Sequence, residues 1–312
     1  MSNYEGLLFI GDPHLASRAP GARKDDYPNT ILRKLEWSLN YAIEHRLLPC
    51  LLGDVFDKPR DNSNWLIGEL CAMLVGREVI AIYGNHDCKE DTLGDDDSLT
   101  ILCKARLLRL ISERENWKGT IGGREVVIGG TPYGAHAPQI TDIFWDGISQ
   151  RALVFWMTHH DLIIPGYLSG RIDLFELPGI HVVVNGHIHS KCEPIVKGKT
   201  TWVNPGNIAR IKRSSRNHKP AVLRVDINGD GYEMSYVDIP HALFEDVFHP
   251  EVRVEEVERN ESAFVLGLAE LQSRRTVAGE GLQAFLDKNL EQFEPAVATE
   301  ITRLAKEVMA NV

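Results

Sequence analysis

No apolar run in the 312-residue chain approaches the about 18–20 residues that a bilayer-spanning helix requires. A membrane-embedded protein is therefore not expected. A basic segment followed by an apolar stretch is also missing at the start. Met1-Ser2-Asn3-Tyr4-Glu5 runs almost directly into Leu7–Ile10, too short for the core of a secretory signal. No CxxC pair occurs. The five cysteines, Cys50, Cys71, Cys88, Cys103 and Cys192, are odd in number, which argues against a disulfide framework and for reduced thiols in a cytoplasmic setting. Internal repeats and low-complexity tracts are lacking. So is a surplus of positive charge: 34 Lys and Arg stand against 44 Asp and Glu, a formal charge of −10. Residues 246–312 carry 7 of the basic and 13 of the acidic side chains, so the body is near neutral. The acidic balance thus does not exclude an anionic substrate, because the charge around a site decides that. What remains is ordinary globular composition, 43% hydrophobic and 25% charged.

Up to about residue 245, short apolar runs alternate with helical patterns. Leu7–Ile10, Leu48–Leu52, Val79–Tyr83, Leu153–Met157 and His181–Val184 read as strands. Asn29 to Arg46 reads as a helix with Asn29 as N-cap and Ile31, Leu32, Leu35, Leu39, Ala42 and Ile43 on one apolar face. Trp65–Val75 and Leu99–Ile111 also read as helices. Thr120–Gly130 reads as a hairpin turning at Gly122-Gly123. Thr200–Val203, Ala221–Ile227 and Tyr232–Ile239 add strands. Asp95-Asp96-Asp97 reads as a solvated loop that could cap a helix at Ser98. From about Asp246 the pattern changes to an acidic stretch and then amphipathic helical spacing, from Leu282 to Val308. The expected organisation is a body over 1–245 and a helical extension over 246–312, suited to tail packing, dimerisation or partner docking.

Five of the apolar runs lead directly into residues that ligate metals. They are followed by Gly11-Asp12-Pro13-His14, Gly53-Asp54-Val55-Phe56-Asp57, Gly84-Asn85-His86-Asp87, Thr158-His159-His160-Asp161 and Asn185-Gly186-His187-Ile188-His189. Ligands of open α/β sheets bind beyond the carboxyl ends of strands, so five such ends would bring these side chains to one rim. Glycines beside four of them permit close approach of the backbone. Asp, Asn and His give mixed oxygen and imidazole donors with no thiolate, a set suited to Mn²⁺, Fe or Zn²⁺. Seven candidate ligands are too many for one ion with an open position. They suit two ions, about 3.5–4 Å apart, that share a carboxylate and clamp both oxygens of a phosphoryl displacement. Taken singly, each motif reads equally well as a turn: Gly84-Asn85 and Asn185-Gly186 are ordinary turn pairs. The set, repeated after five strands, is what points to a metal centre.

As a set, Asp12-x-His14, Gly53-Asp54-x-x-Asp57, Gly84-Asn85-His86-Asp87, His159 and Gly186-His187-x-His189 resemble the calcineurin-like metallophosphoesterase superfamily. The resemblance implies a four-layer αββα sandwich with a small C-terminal helical extension and a dinuclear site. One metal would take Asp12, His14, Asp54 and His189; the other would take Asp54, Asn85, His159 and His187. A metal-bridging hydroxide would attack phosphorus, His86 would stabilise the transition state or protonate the leaving oxygen, and Asp87 would orient His86. His160 competes with His159, and the family pattern favours the first. Asp57 is expected to support its turn, and Asp161 and Cys88 to pack beside the site.

Several segments are similar to SbcD-type DNA repair exonucleases: Gly53–Asp57 with Phe56, Arg23-Lys24-Asp25-Asp26-Tyr27, and Val237-Asp238-Ile239-Pro240. Asn204-Pro205-Gly206-Asn207 resembles the Asn-Pro-Gly-Ser turn of many superfamily members, with Asn in place of Ser. That likeness implies DNA as substrate and an SbcC-like coiled-coil ATPase as a partner, although only a small module follows the body. A homodimer is the other expected assembly. The basic stretch Arg210, Lys212, Arg213 and Arg216 is the candidate substrate contact, able to hold phosphates beyond the scissile one. The alternatives are a phosphatase or phosphodiesterase for a small molecule, nucleotide or phosphoprotein, and a non-catalytic scaffold, which the full motif set disfavours.

Overall fold

A computed structural model describes residues 4–250, apart from 136, 137, 139 and 141, together with residue 302. The expected helices of the extension lie outside the described residues. In contact terms the chain divides into Met1–Pro250 and Glu251–Val312.

In chain order the strands of the first unit are β1 (Gly6–Ile10), β2 (Leu47–Leu51), β3 (Ile80–Ala81), β4 (Arg109–Leu110), β5 (Trp117–Ile121), β6 (Arg124–Thr131), β7 (Leu153–Thr158), β8 (Val182–Asn185), β9 (Cys192–Lys197), β10 (Thr200–Asn204), β11 (Ala221–Asn228) and β12 (Gly231–Asp238). The helices are α1 (Tyr27–Glu44), α2 (Asn64–Leu74), α3 (Ser98–Lys104) and the single turn α4 (Phe244–Val247). Two six-stranded mixed sheets result, in the orders β12-β11-β1-β2-β3-β4 and β5-β6-β7-β8-β10-β9. β1, β2, β7 and β8 are buried along their whole length, which explains why they read as unbroken apolar runs rather than as alternating ones.

The layers follow from which face each side chain takes. Leu7, Phe9, Leu48 and Cys50 of the first sheet join Ile128, Phe155, Met157, Val182 and Val184 of the second in the core between them. Leu8, Ile10, Leu47 and Leu51 point the other way and pack with Ile31, Leu35, Leu39, Leu66 and Leu70 of α1 and α2. On the far side of the second sheet, Val127, Val154, Trp156 and Trp202 are covered by Phe144, Leu162, Ile164 and Leu177. The fold is thus an α/β sandwich of two face-to-face mixed sheets, as expected. The outer cover of its second sheet is made, among the described residues, of loops and the short 3₁₀ turn Asp142–Trp145.

Four local expectations change. The cap of α1 is Asp26, whose carboxylate accepts from the amide of Asn29, and Pro28 occupies the first turn, where a missing N–H costs nothing. Ile43 is 59% exposed at the edge of the buried arc, while Lys34, unflagged by apolar spacing, is inside it. The expected helix Leu99–Ile111 stops at Lys104, because Arg106 takes a positive φ of 58° and the chain re-enters the first sheet as β4. Asp97 is not solvated: it is buried and accepts from Arg60 Nε at 2.8 Å and from the amide of Gly94 at 2.8 Å.

Lys34 makes a pH prediction. Its Nζ donates to the carbonyl of Ile208 at 2.9 Å, and burial, then Arg210 and Arg23, push its pKa down to about 7 against the weaker pull of Asp25. Between about pH 7 and the ordinary lysine value of 10.5 the unfolded chain therefore holds the extra proton. Stability should rise across that window, by on the order of a few kcal/mol, and the cost of the buried charge should be fully present below it. Urea unfolding at pH 6.5 and pH 9 should show a smaller rise in Lys34→Met than in the wild type. Equal rises would show that Lys34 keeps its proton throughout.

Candidate metal centre

Each of the five motifs lies where a strand ends. Asp12 and His14 follow β1, Asp54 follows β2, and Asn85 and His86 come shortly after β3. His159 follows β7, and His187 and His189 follow β8. The strands lie in both sheets, so the site straddles the seam of the sandwich. Backbone conformation helps to aim the side chains. Asp12, His14, Asp54 and His187 have positive φ values of 34°, 48°, 47° and 69°, and they make up four of the seven such non-glycine residues described. Each costs about 1–3 kcal/mol and persists only where surrounding structure over-determines it.

The structure brings all seven candidate ligands together around Asp54. One of its carboxylate oxygens is 3.4 Å from His159 Nε2; the other is 3.7 Å from His14 Nε2. On the His14 side, His189 Nε2 lies 2.9 Å from His14 Nε2. On the other side, Asn85 Oδ1 is 3.2 Å from His159 Nε2 and 3.0 Å from His187 Nδ1. Asp12 Oδ1 is 3.7 Å from His159 Nδ1 and accepts from the amide of His187 at 3.1 Å. Two triads, His14–Asp54–His86 and Asp54–His159–His187, place one donor atom from each member within 4.8 Å of one another. Asp12, His14, Asp54 and His159 are buried and form the floor; Asn85, His86, His187 and His189 are partly exposed and form the open side.

The partners of the imidazoles fix their tautomers. His159 Nδ1 donates to the carbonyl of Leu52 at 2.7 Å, so in the neutral ring the Nε2 lone pair faces Asp54 and Asn85. His14 Nδ1 faces the Asp57 carboxylate at 3.5 Å, which turns its Nε2 inward in the same way. Such outer partners orient metal-binding histidines. Burial alone would raise the pKa of Asp54, yet His159, His14 and His86 outweigh it and hold that carboxyl well below its usual range. Burial, reinforced by Asp54 and opposed by His159 and His14, lifts Asp12 to about 6. Burial pushes His187 down to about 3 and His189 well below its ordinary value, which keeps both rings neutral.

The residues fit divalent cations. Two buried carboxylates and four imidazoles converge, and Asp12 Oδ2 has no hydrogen-bond partner. Burial and Asp87 push the Cys88 thiol up to about 12, so it stays protonated and leaves the donor set free of sulfur.

Some expectations are corrected. Asp87 does not orient His86. Its carboxylate accepts from the amides of Phe56 at 3.0 Å and Gly84 at 2.9 Å, tying two site loops together. The imidazole of His86 is held instead by the main-chain carbonyl of Asp57, at 2.7 Å from Nδ1. The basic stretch is mostly committed within the fold. Arg210 is buried and donates to the carbonyl of Ala242. Arg213 donates to the carbonyl of Pro250 at 3.2 Å, and Arg216 pairs with Glu245 at 2.6 Å; Lys212 is exposed. Arg210 is thus tied to residue 242 within the fold, while Arg213 and Arg216 meet residues 250 and 245 in exposed contacts. Of the two candidates after β7, His159 faces Asp54, while the amide of His160 donates to Asn185 Oδ1 at 2.9 Å.

Two supports carry no sequence signal of their own. The hydroxyl of Tyr27, buried at the start of α1, donates to the carbonyl of His14 at 2.9 Å. Asn185 accepts from Thr158 Oγ1 at 2.8 Å and donates to Asn204 Oδ1 at 3.1 Å, linking the ends of β7, β8 and β10.

Gly84 and Gly186 allow the loops to close. A Cβ on Gly84 would lie 2.2 Å from Asp54 Oδ1 and 2.5 Å from the Asp54 amide; one on Gly186 would lie 2.3 Å from the Leu52 carbonyl and 2.8 Å from Asp12 Oδ1. Gly84→Ala should therefore displace Asp54 and lower metal content to below half of the wild-type value with the far-UV spectrum retained. Full metal occupancy in that variant would show that the loop can give way.

The calcineurin-like phosphoesterase family model matches residues 7–191. No curated protein matches the chain. Among solved structures, a hypothetical protein from Thermus thermophilus is 13% identical with a TM-score of 0.45, over 75% of this chain and 100% of that one. A conserved uncharacterized protein from Streptococcus pneumoniae, described as a predicted phosphoesterase, is 12% identical with a TM-score of 0.34, over 77% and 94%. Vacuolar protein sorting 29 from Cryptosporidium parvum is 12% identical with a TM-score of 0.31, over 76% and 98%. No helix among the described residues is long and apolar enough to cross a membrane.

Proposed function

The chain belongs to the calcineurin-like phosphoesterase family, whose model covers more than half of it, and from that premise we propose that this metal-dependent phosphoester hydrolase is a DNA nuclease of SbcD type. The observation that carries the chemistry is the pair of donor clusters meeting at Asp54 beneath a partly exposed His86. The reading of the substrate is supported by the likeness of Gly53–Asp57, Arg23–Tyr27 and Val237–Pro240 to those nucleases.

In this reading Asp12, His14, Asp54 and His189 hold one ion, and Asp54, Asn85, His159 and His187 hold the other. Manganese is the proposed metal, since the donors are oxygen and imidazole without thiolate; iron and zinc are the alternatives. When bound, two such ions supply a nucleophile at neutral pH and neutralise the charge of the phosphate. The chain's own part is positioning and proton transfer. Leu52 sets the tautomer of His159, and the Asp57 carboxylate lies 3.5 Å from His14 Nδ1. His86 Nδ1 donates to the Asp57 carbonyl, so Nε2 is the nitrogen left facing the substrate; it would protonate the leaving oxygen from the imidazolium form, after taking up a proton from solvent. Its main-chain amide donates to Asp54 Oδ1 at 2.8 Å, which fixes the ring's distance from the carboxylate. An SbcC-like ATPase partner is part of this proposal.

The test pairs substrates with metals. End-labelled single- and double-stranded DNA, bis-p-nitrophenyl phosphate and mononucleotides are each incubated with Mn²⁺, Mg²⁺, Zn²⁺ or EDTA. DNA degradation that requires Mn²⁺ supports the nuclease. Turnover of small esters with DNA left intact would move the substrate to a small phosphoester.

A further inference from the structure

Arg210 is buried, and Arg213 and Arg216 engage residues 245–250 at the surface, which leaves a cation nearer the centre as the candidate to meet the strand. Arg171 stands there. After β7 the chain makes a short excursion, Asp161–Ile172, pinned at its base. The amides of Arg171 and Ile172 donate to the carbonyl of Asp161 at 2.8 and 3.1 Å, and that of Ile163 donates to Ile172 at 2.8 Å. Arg171 is thereby fixed beside a residue two positions past His159. The Asp161 carboxylate lies between the centre and solvent: one oxygen is 3.9 Å from His187 Nε2, the other 3.6 Å from Arg171 Nε.

The guanidinium itself is 81% exposed, whereas Asp161 is 27% exposed. A pair this open and this long is held by at most about 1 kcal/mol. A phosphate offers the same fork of donors two parallel, charge-assisted hydrogen bonds, so exchange of partner is favourable. Neighbouring hydroxyls feel the same charge. Burial, with Asp91, Cys88 and Asp54, raises the pKa of the Tyr133 hydroxyl, while Arg171 draws it back; burial and Asp161 raise that of Tyr167, and Arg171 opposes them.

We propose that Arg171 grips the phosphate next to the scissile one, and so selects polynucleotides over minimal phosphodiesters. The inference rests on the nuclease reading. It also accounts for how a body of near-neutral charge could hold a polyanion: one movable guanidinium beside the centre is sufficient to register the strand, without a broad basic face.

The experiment compares wild type, Arg171→Ala and Arg171→Lys on three substrates: bis-p-nitrophenyl phosphate, a thymidine dinucleotide with a single phosphate, and a single-stranded 12-mer. Metal content is measured in each. The expected result is a rise in KM of about tenfold for the 12-mer in Arg171→Ala with kcat retained, partial recovery in Arg171→Lys, and a salt dependence of KM shallower by about one phosphate contact. The two substrates without a neighbouring phosphate should respond by less than twofold. An unchanged KM and salt slope on the 12-mer would overturn the proposal. So would an equal loss of kcat on all three substrates, which would show Arg171 acting through Asp161 on His187. If the wild type turns over bis-p-nitrophenyl phosphate but neither nucleic acid, it is the nuclease reading that fails, and this inference falls with it.

Discussion

Replacing His86 by alanine should lower kcat by about 10²–10⁴-fold, the range that a positioned general acid contributes, while two ions per chain remain bound. The imidazole is partly exposed, and its Nδ1 is tied to the Asp57 carbonyl, which leaves Nε2 for the substrate. Burial, with His14, lowers its pKa from the ordinary value, although Asp54 and the Asp57 carbonyl oppose this. The ring is therefore not locked as an imidazolium. The same ring, however, offers a donor atom within 4.8 Å of those of His14 and Asp54. The two roles separate in one preparation. Elemental analysis at wild-type stoichiometry with activity lost assigns His86 to proton transfer. Metal content reduced by half would make it a ligand and remove it from the role of acid. The substitution leaves the Asp54 contact to residue 86 intact, because that contact is made by the main-chain amide.

Asp54→Asn should have the larger effect on metal. The carboxylate faces His159 with one oxygen and His14 with the other, so it belongs to both clusters. An amide keeps one oxygen and turns an NH₂ toward the other cluster, and it removes the negative charge that both ions would share. Metal content is expected to fall below one ion per chain. With it would go several kcal/mol of transition-state stabilisation, about 10³-fold or more in kcat/KM. The fold should survive, since Asp54 takes no part in the hydrophobic cores on either face of the first sheet. Retention of both ions in a folded Asp54→Asn protein would remove Asp54 from the shared position.

The candidate centre was legible because its residues recur in one local context, a buried strand followed by a ligand-bearing turn. The runs Leu7–Ile10, Leu48–Leu52 and Leu153–Met157 needed no partner to be recognised as strands, and Asp12, Asp54 and His159 needed only to follow them. The supports were not legible. Nothing near Tyr27 indicates that its hydroxyl will meet the carbonyl of His14, and nothing near His86 favours the carbonyl of Asp57 over the carboxylate next door. Asp97 read as part of an acidic loop because its partner, Arg60, lies 37 residues away.

Local sequence patterns specify the alternation of strands and helices, the two-sided burial of the central strands and the chemical types gathered at their ends. Those properties follow from periodicities and turn chemistry that act over a few residues. The strand order within the two sheets, the positive φ of Asp12, His14, Asp54 and His187, and the partner of each charged side chain depend on contacts made in the folded chain. Arg210, Arg213 and Arg216 show the reason. Read along the chain they are a free cationic run; in space, residues 242–250 supply their partners and leave Arg171 beside the centre. A side chain's charge is a property of its residue, but whether that charge is spent inside the fold depends on segments that only folding brings alongside it.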